Sequence, residues 1–273
     1  MKRILVIDSD SAWVSQASVL PYEIETAHGP LDALRRLRQR AFDVMVTSAR
    51  THIDEDLALL NESRQVRPGL KAIVLAPSAT TPDVIAALRA QVFGCLIAPF
   101  TFTEVADMIR AAAETVDWRD GIQVMAARAE WISLRVTCSL VTAERLTWFM
   151  AAMRSDVPDS VRDDLLYAFR EVLMNAMEHG AGFDPEKVID VSAVRTERAI
   201  VYYFRDPGAG FDTAAVSHPA IATTAADPLA HLEYRATQGM RPGGFGMLIV
   251  RQLVDEVMYS ETGNEVILIK HTG

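Results

Sequence analysis

Cysteine is scarce: Cys95 and Cys138 are the two in 273 residues, each inside an apolar stretch, GCLIAPF and VTCSLV. Two thiols are too few for a disulfide framework or a multi-cysteine metal site, so both are expected as packed thiols. Positive charge is in deficit. The 27 Lys and Arg against 36 Asp and Glu leave a net charge of −9, and both halves of the chain share the acidic balance. Such a surface as a whole repels nucleic acid and anionic membrane, so neither is an expected direct partner. Long apolar runs are also missing. None reaches the ~18 residues that suggest a membrane span, and the apolar run in MKRILVIDSDSAW breaks at Asp8, too early for a signal-peptide core. Cytoplasmic residence is the expectation. What is present, 50% hydrophobic and 23% charged residues, is the balance of an ordinary globular protein. At roughly 100–200 residues per domain the length points to two domains.

Residues 1–117 alternate short apolar runs with longer amphipathic ones. RILVID at 3–8, EIETAH at 23–28, DVMVTS at 43–48, KAIVLA at 71–76 and GCLIA at 94–98 read as strands, short and bounded by polar or turn residues. LDALRRLRQRAF, DLALLNESRQV and TPDVIAALRAQV read as helices, the last opening with Thr81 as N-cap and Pro82 at the first helical position. Five βα units of this kind favour a doubly wound parallel sheet, with its ligand site at the carboxyl ends of the strands. The rhythm breaks after 117, which sets a short linker at 118–130 and a second domain at 131–273.

The second domain reads as strand WISLRV, helix TAERLTWFMAAMR, long helix VRDDLLYAFREVLMNAMEHG, strands VIDVSAV and AIVYYF, a Gly-rich turn, a loop over 213–243, helix FGMLIVRQLVDEV and strand EVILIK. That mixed order suits a sheet covered by helices on one face. The apolar residues of TAERLTWFMAAMR suit either the core or the face of a homodimer, and the core is the simpler reading.

Residues 1–117 resemble the receiver domain of two-component response regulators, of flavodoxin-like fold. In that family an acidic pair after the first strand holds a divalent cation, an Asp ending the third strand accepts phosphate, a Thr or Ser follows the fourth, and a Lys precedes a Pro after the fifth. Here those positions read Asp8-Ser9, Ser48, Ala76 and Ala98-Pro99-Phe100. Ser48 has no carboxylate with which to form an acyl phosphate. Ala98 removes the cation that would meet the phosphoryl group, and Ser9 leaves Asp8 with Asp10 as its nearest acidic partner. The expectation is a degenerate receiver that docks or dimerises without phosphorylation.

In the long helix Glu171 and Asn175 stand four apart, with Glu178 and His179 following on the same side. Alone, such a stripe is the solvated face of a helix. RDPGAGFD at 205–212 follows the apolar strand AIVYYF and sets Asp206 just ahead of Gly208 and Gly210, where a carboxylate can accept a hydrogen bond from an exocyclic amine and the glycines admit a close ligand. RPGGFGMLIVRQL at 241–253 places Gly244 and Gly246 at a helix start suited to phosphate. Each signal is weak alone.

In this order and spacing the three resemble the N, G1 and G2 boxes of the GHKL (Bergerat) ATPase fold, an α/β sandwich, over about 130–271. The match is closer to the serine-protein-kinase anti-sigma factors, through EVLMNAMEHG and GFGMLIVRQLVDEV with GNEVILIK. The resemblance implies ATP and Mg²⁺ as cofactors: Asn175 as metal ligand, Glu171 as the base for the attacking hydroxyl, Asp206 as adenine reader, and Gly208, Gly210, Gly244 and Gly246 shaping the nucleotide site. Arg235 and Arg241 lie in the loop and would neutralise phosphate charge. His179 reads as a helix-end residue. A sensor histidine kinase would need a helical pair displaying the acceptor histidine, and residues 118–135 contain no His.

The expected function is a signalling regulator that binds Mg-ATP and phosphorylates a serine on an anti-sigma-factor antagonist, with the receiver as docking or gating module. The alternative is a non-catalytic, nucleotide-dependent module that sequesters a sigma factor or an antagonist.

Overall fold

The computed structural model of the chain describes residues 1–7, 16–116, 118, 121–154, 156–210 and 246–272. Asp8, Ser9, Asp10, Arg235, Arg241 and Gly244, with the 213–243 segment, lie outside the described residues. The chain divides into two compact units, residues 1–122 with 144–157 and residues 123–143 with 158–273.

In the first unit β1 (Arg3–Ile7), β2 (Glu23–Ala27), β3 (Val44–Val46), β4 (Lys71–Ala76) and β5 (Gly94–Ile97) form a five-stranded sheet in the order β2-β1-β3-β4-β5. Every pairing is parallel. All six residues of β4 are buried, because a parallel sheet covered on both faces needs continuous apolar strands. The helices are α1 (Pro30–Gln39), α2 (Ile53–Val66), α3 (Thr81–Arg89) and α4 (Phe102–Glu114). Between β1 and β2 the described residues hold a single 3₁₀ turn, Gln16–Val19.

Helix α3 starts one residue earlier than its sequence suggests: Thr80, not Thr81, is the N-cap. Its hydroxyl accepts from the Asp83 amide while the Asp83 carboxylate accepts from the Thr80 amide. Thr101 and Glu104 make the same reciprocal pair at α4.

Helix α5 (Leu140–Met153) contributes its residues from Glu144 onward to this unit. Leu146, Phe149 and Met150 are fully buried. Arg145, 4% exposed, donates to the carbonyls of Phe93, Trp118 and Val92 at 2.9, 2.7 and 3.3 Å. Its guanidinium also lies over the Phe93 and Trp118 rings, which offsets the cost of burying a cation.

The second unit is built on a six-stranded sheet in the order β10-β11-β9-β8-β7-β6. Its strands are β6 (Ile122–Arg128), β7 (Trp131–Thr137), β8 (Val188–Arg195), β9 (Ala199–Arg205), β10 (Glu256–Tyr259) and β11 (Glu265–His271). The pairings of β7 through β11 are antiparallel. Two elements depart from the sequence reading. IQVMAAR, inside the expected linker, is strand β6. The helix expected to run through VDEV stops at Leu253, and Glu256–Tyr259 pairs with β11 instead.

Burial alternates along β8 and β9: Ile189, Val191 and Ala193 are buried, as are Ile200, Tyr202 and Phe204, while their neighbours are half-buried or exposed. Alternation of this kind marks a sheet with one covered face. The cover is α6 (Asp159–Asn175), whose Phe169 ring sits 5.0 Å from Tyr202 and 5.1 Å from Phe204. Helix α7 (Gly246–Leu253) packs beside α6.

Candidate functional site

Helix α6 carries Glu171 and Asn175 on its last turn, both half-buried, while Leu173 and Val172 face the core. The helix then widens. Ala176–Gly180 forms one π-helical turn, closed by Ala181 N donating to Ala176 O at 3.0 Å. Single π turns of this kind are frequent at functional sites because they shift backbone and side chains out of α register. Here the shift leaves Glu178 and His179 exposed and sets Gly180 against the Asp206 carboxylate: a Cβ on Gly180 would fall on that side chain.

Asp206 leaves the end of β9 half-buried. One carboxylate oxygen, Oδ1, accepts from Gly208 N at 2.8 Å. Burial raises its proton affinity above the ordinary Asp value, while the Gly208 hydrogen bond works in the other direction. The turn is fixed from the β10–β11 connection, where Asp206 N donates to Asn264 O at 3.0 Å and Asn264 Nδ2 donates to Asp206 O at 3.4 Å. Gly210 has φ +75° and lies against Thr262 O, so both its backbone angle and its surroundings exclude a side chain.

Gly246 opens α7, and a Cβ there would fall on the Glu171 carboxylate. The structure therefore brings together two sets within the second unit: Asp206 with Gly180 and Gly208, and Glu171 with Gly246. Among the described residues neither Glu171 nor Asn175 has a side-chain hydrogen-bond or ion-pair partner. Gly180, Thr262 and Asn264 are the members that sequence reading missed. Gly180 ends the MNAMEHG run and Asn264 opens the GNEVILIK stretch, but nothing in either motif shows that they meet Asp206.

A site for adenine needs a polar edge reader and a backbone close enough to exclude bulk. The glycine cradle around Asp206, which any Cβ would fill, meets both requirements. A hard cation needs an oxygen donor not already committed, and the Asn175 amide meets that condition.

In the first unit Ser48 stands just past the end of β3, 8% exposed, its hydroxyl accepting from Arg50 N at 3.2 Å. Ala76 is the last residue of β4, and Ala98-Pro99 follows β5. No helix of the described residues is long and apolar enough to cross a membrane.

The region matched to a known family includes residues 144–157, which group with the first unit by their contacts. A family model described as "Histidine kinase-like ATPase domain" matches residues 135–270. "Transcriptional regulatory protein ZraR" of Salmonella typhimurium is 25% identical over 116 residues, 40% of this chain and 26% of that protein. The protein of the same name from Escherichia coli O157:H7 is 25% identical over 120 residues, 41% of this chain and again 26% of its own length. The match thus spans about a quarter of these curated relatives. Among solved structures, a CheY-like response regulator receiver domain protein from Methanospirillum hungatei is 23% identical with a TM-score of 0.36, covering 40% of this chain and 91% of its own. A receiver domain protein from Clostridium thermocellum is 24% identical with a TM-score of 0.36, covering 41% and 94%.

With its 2-1-3-4-5 parallel sheet the first unit is a receiver-type domain, and residues 135–270 are a histidine kinase-like ATPase domain. The two are fused in one chain.

Proposed function

We propose that the second unit binds ATP with Mg²⁺ and transfers phosphate to a serine on an anti-sigma-factor antagonist, with the receiver-type unit as a docking or gating module in the cytoplasm. The observation that carries this reading is the Asp206 cradle. Its Oδ1 is engaged by Gly208 N, which leaves the second carboxylate oxygen to accept from the exocyclic amine of an adenine, while Gly180 and Gly208 admit the ring. Asn175 offers an amide oxygen to the metal, and the start of α7 at Gly246 offers backbone N–H groups to phosphate. Bound Mg-ATP supplies the transferable phosphoryl group with its charge offset by the cation.

Glu171, one helical turn from Asn175, acts as the base. It takes the proton of the serine hydroxyl, and its position against Gly246 holds it at the phosphate end of the site. Positioning of the two reactants supplies most of the acceleration in such transfers.

The experiment is transfer of label from γ-labelled ATP to a candidate antagonist by the full chain. The reading expects a labelled antagonist serine, and a fall of at least about 100-fold in Glu171→Ala with nucleotide binding retained. Nucleotide binding without transfer by the unaltered chain would establish instead the non-catalytic module that sequesters a sigma factor or antagonist.

A further inference from the structure

The first unit contains a cavity of about 320 Å³ at the carboxyl ends of β1, β2 and β3. The strand order β2-β1-β3-β4-β5 reverses direction between β1 and β3, and open α/β sheets bind ligands at such a switch point. Ile7, Ser48, Asp56 and Leu59 line the cavity and are buried, while His28 and Arg50 line it from exposed positions. The volume is at the small end of the range for small-molecule sites.

Asp56 is the unusual member. It occupies a core-facing position of α2, in the buried series Ile53, Asp56, Leu59, Leu60 and Ser63, and is 3% exposed. Its carboxylate accepts from Thr47 Oγ1 at 2.7 Å and from Thr51 Oγ1 at 2.8 Å. The Thr51 hydroxyl also lies 2.8 Å from Ser48 O, and its single proton serves one acceptor at a time. Both donors are neutral, and among the described residues no cation forms an ion pair with this carboxylate.

The charged and titratable surroundings do not correct this. Asp54 and Glu55 on α2 carry the same sign as Asp56 and add to the effect of burial, which pushes its pKa up to about 6. Cys95 on β5 is a neutral thiol pushed up to about 12 by burial. From β3 and its following loop come the hydroxyls of Thr47, Ser48 and Thr51, with Arg50 exposed at the cavity edge. His28 stands at the end of β2. A buried acid among neutral hydroxyls and like charges is unfavourable when ionised, and a cationic donor reaching it relieves that cost.

We propose that this cavity binds a small organic cation, a primary amine on an apolar body, with the ammonium held by Asp56 and the hydrocarbon packed on Ile7 and Leu59. In a receiver-type domain without a carboxylate at Ser48, such a ligand is a chemical input at the same end of the sheet. The described lining residues fall between Ile7 and Leu59, so the inference does not rest on the ATP reading.

The test is titration of the full chain with benzylamine, and with benzyl alcohol as its uncharged counterpart, followed by the amide resonances of Ser48 and Asp56. The expected result is saturable binding of benzylamine, with benzyl alcohol at least about tenfold weaker. Benzylamine affinity should rise about tenfold between pH 5 and pH 7 as Asp56 ionises. Asp56→Asn should erase the preference for the amine; if that variant does not fold, the pH series on the unaltered chain decides. Equal affinity for amine and alcohol, affinity independent of pH, or no saturable binding of benzylamine overturns the proposal.

Discussion

Asp206 has one oxygen engaged by Gly208 N and the other available, in a half-buried setting that raises its proton affinity. Removing a hydrogen-bonding carboxylate from such a place costs about 1.5–3 kcal/mol of binding, so Asp206→Ala should weaken ATP binding by about 10- to 100-fold, measured by calorimetry. Asp56 makes a separate prediction about stability. Its folded-state pKa of about 6 lies above the ordinary 3.8, so the native chain keeps a proton that the unfolded chain has released. Its contribution is therefore most favourable at the acid end and is lost as pH rises from about 4 to about 6, by on the order of 3 kcal/mol. Asp32 and Asp43, whose values are lowered, act in the opposite sense. The difference between the unaltered chain and Asp56→Asn in urea unfolding at pH 4.5 and pH 7 isolates the effect, with Asn relatively more stable at the higher pH. Asp206 was legible from its place between an apolar strand and a Gly-rich turn. Asp56 was not, because DED reads as the acidic first turn of a helix; the three-and-four spacing from Ile53 through Leu59 and Leu60 was the signal that put it inside.

At the scale of elements, the site depends on how closely α7 approaches α6. Gly246→Ala sets a methyl on the Glu171 carboxylate, so that side chain must swing away from the start of α7. Phosphoryl transfer should fall with the displaced base, while thermal unfolding shifts by less than about 1 kcal/mol. Gly69→Ala, where the added methyl meets nothing within 4 Å, is the control and should change neither. Strands β1, β3 and β4 were legible because burial on both faces makes them largely apolar runs, whereas β2 (EIETA), half-buried at the sheet edge, was legible by its short length between polar and turn residues. Strand β10 was hidden because VDEV continues the apolar spacing of α7, and only pairing with β11 draws Glu256–Tyr259 into the sheet. The π turn was equally hidden: MNAMEHG carries the helical pattern without a break, and the shift appears only where Gly180 meets Asp206.

For the whole molecule, the sequence carried the two-part architecture, since alternating βα units and a later mixed order are long-range patterns that survive local errors. It did not carry the finer division, in which residues 144–157 group with the first unit through contacts such as those of Arg145. The receiver-type unit presents Ser48 where an acyl phosphate would require a carboxylate. Incubation of the full chain with acetyl phosphate and Mg²⁺ should therefore leave residues 1–116 unlabelled, as read by mass spectrometry of its peptides. The most direct measurement of the central claim is an ATP titration of the full chain with and without Mg²⁺, repeated on Asp206→Ala and Asn175→Ala. The account predicts saturable binding that Mg²⁺ strengthens, loss of affinity in the first variant and loss of the Mg²⁺ effect in the second. An unaltered chain that does not bind ATP, or variants that bind it as tightly and with the same response to Mg²⁺, would contradict it.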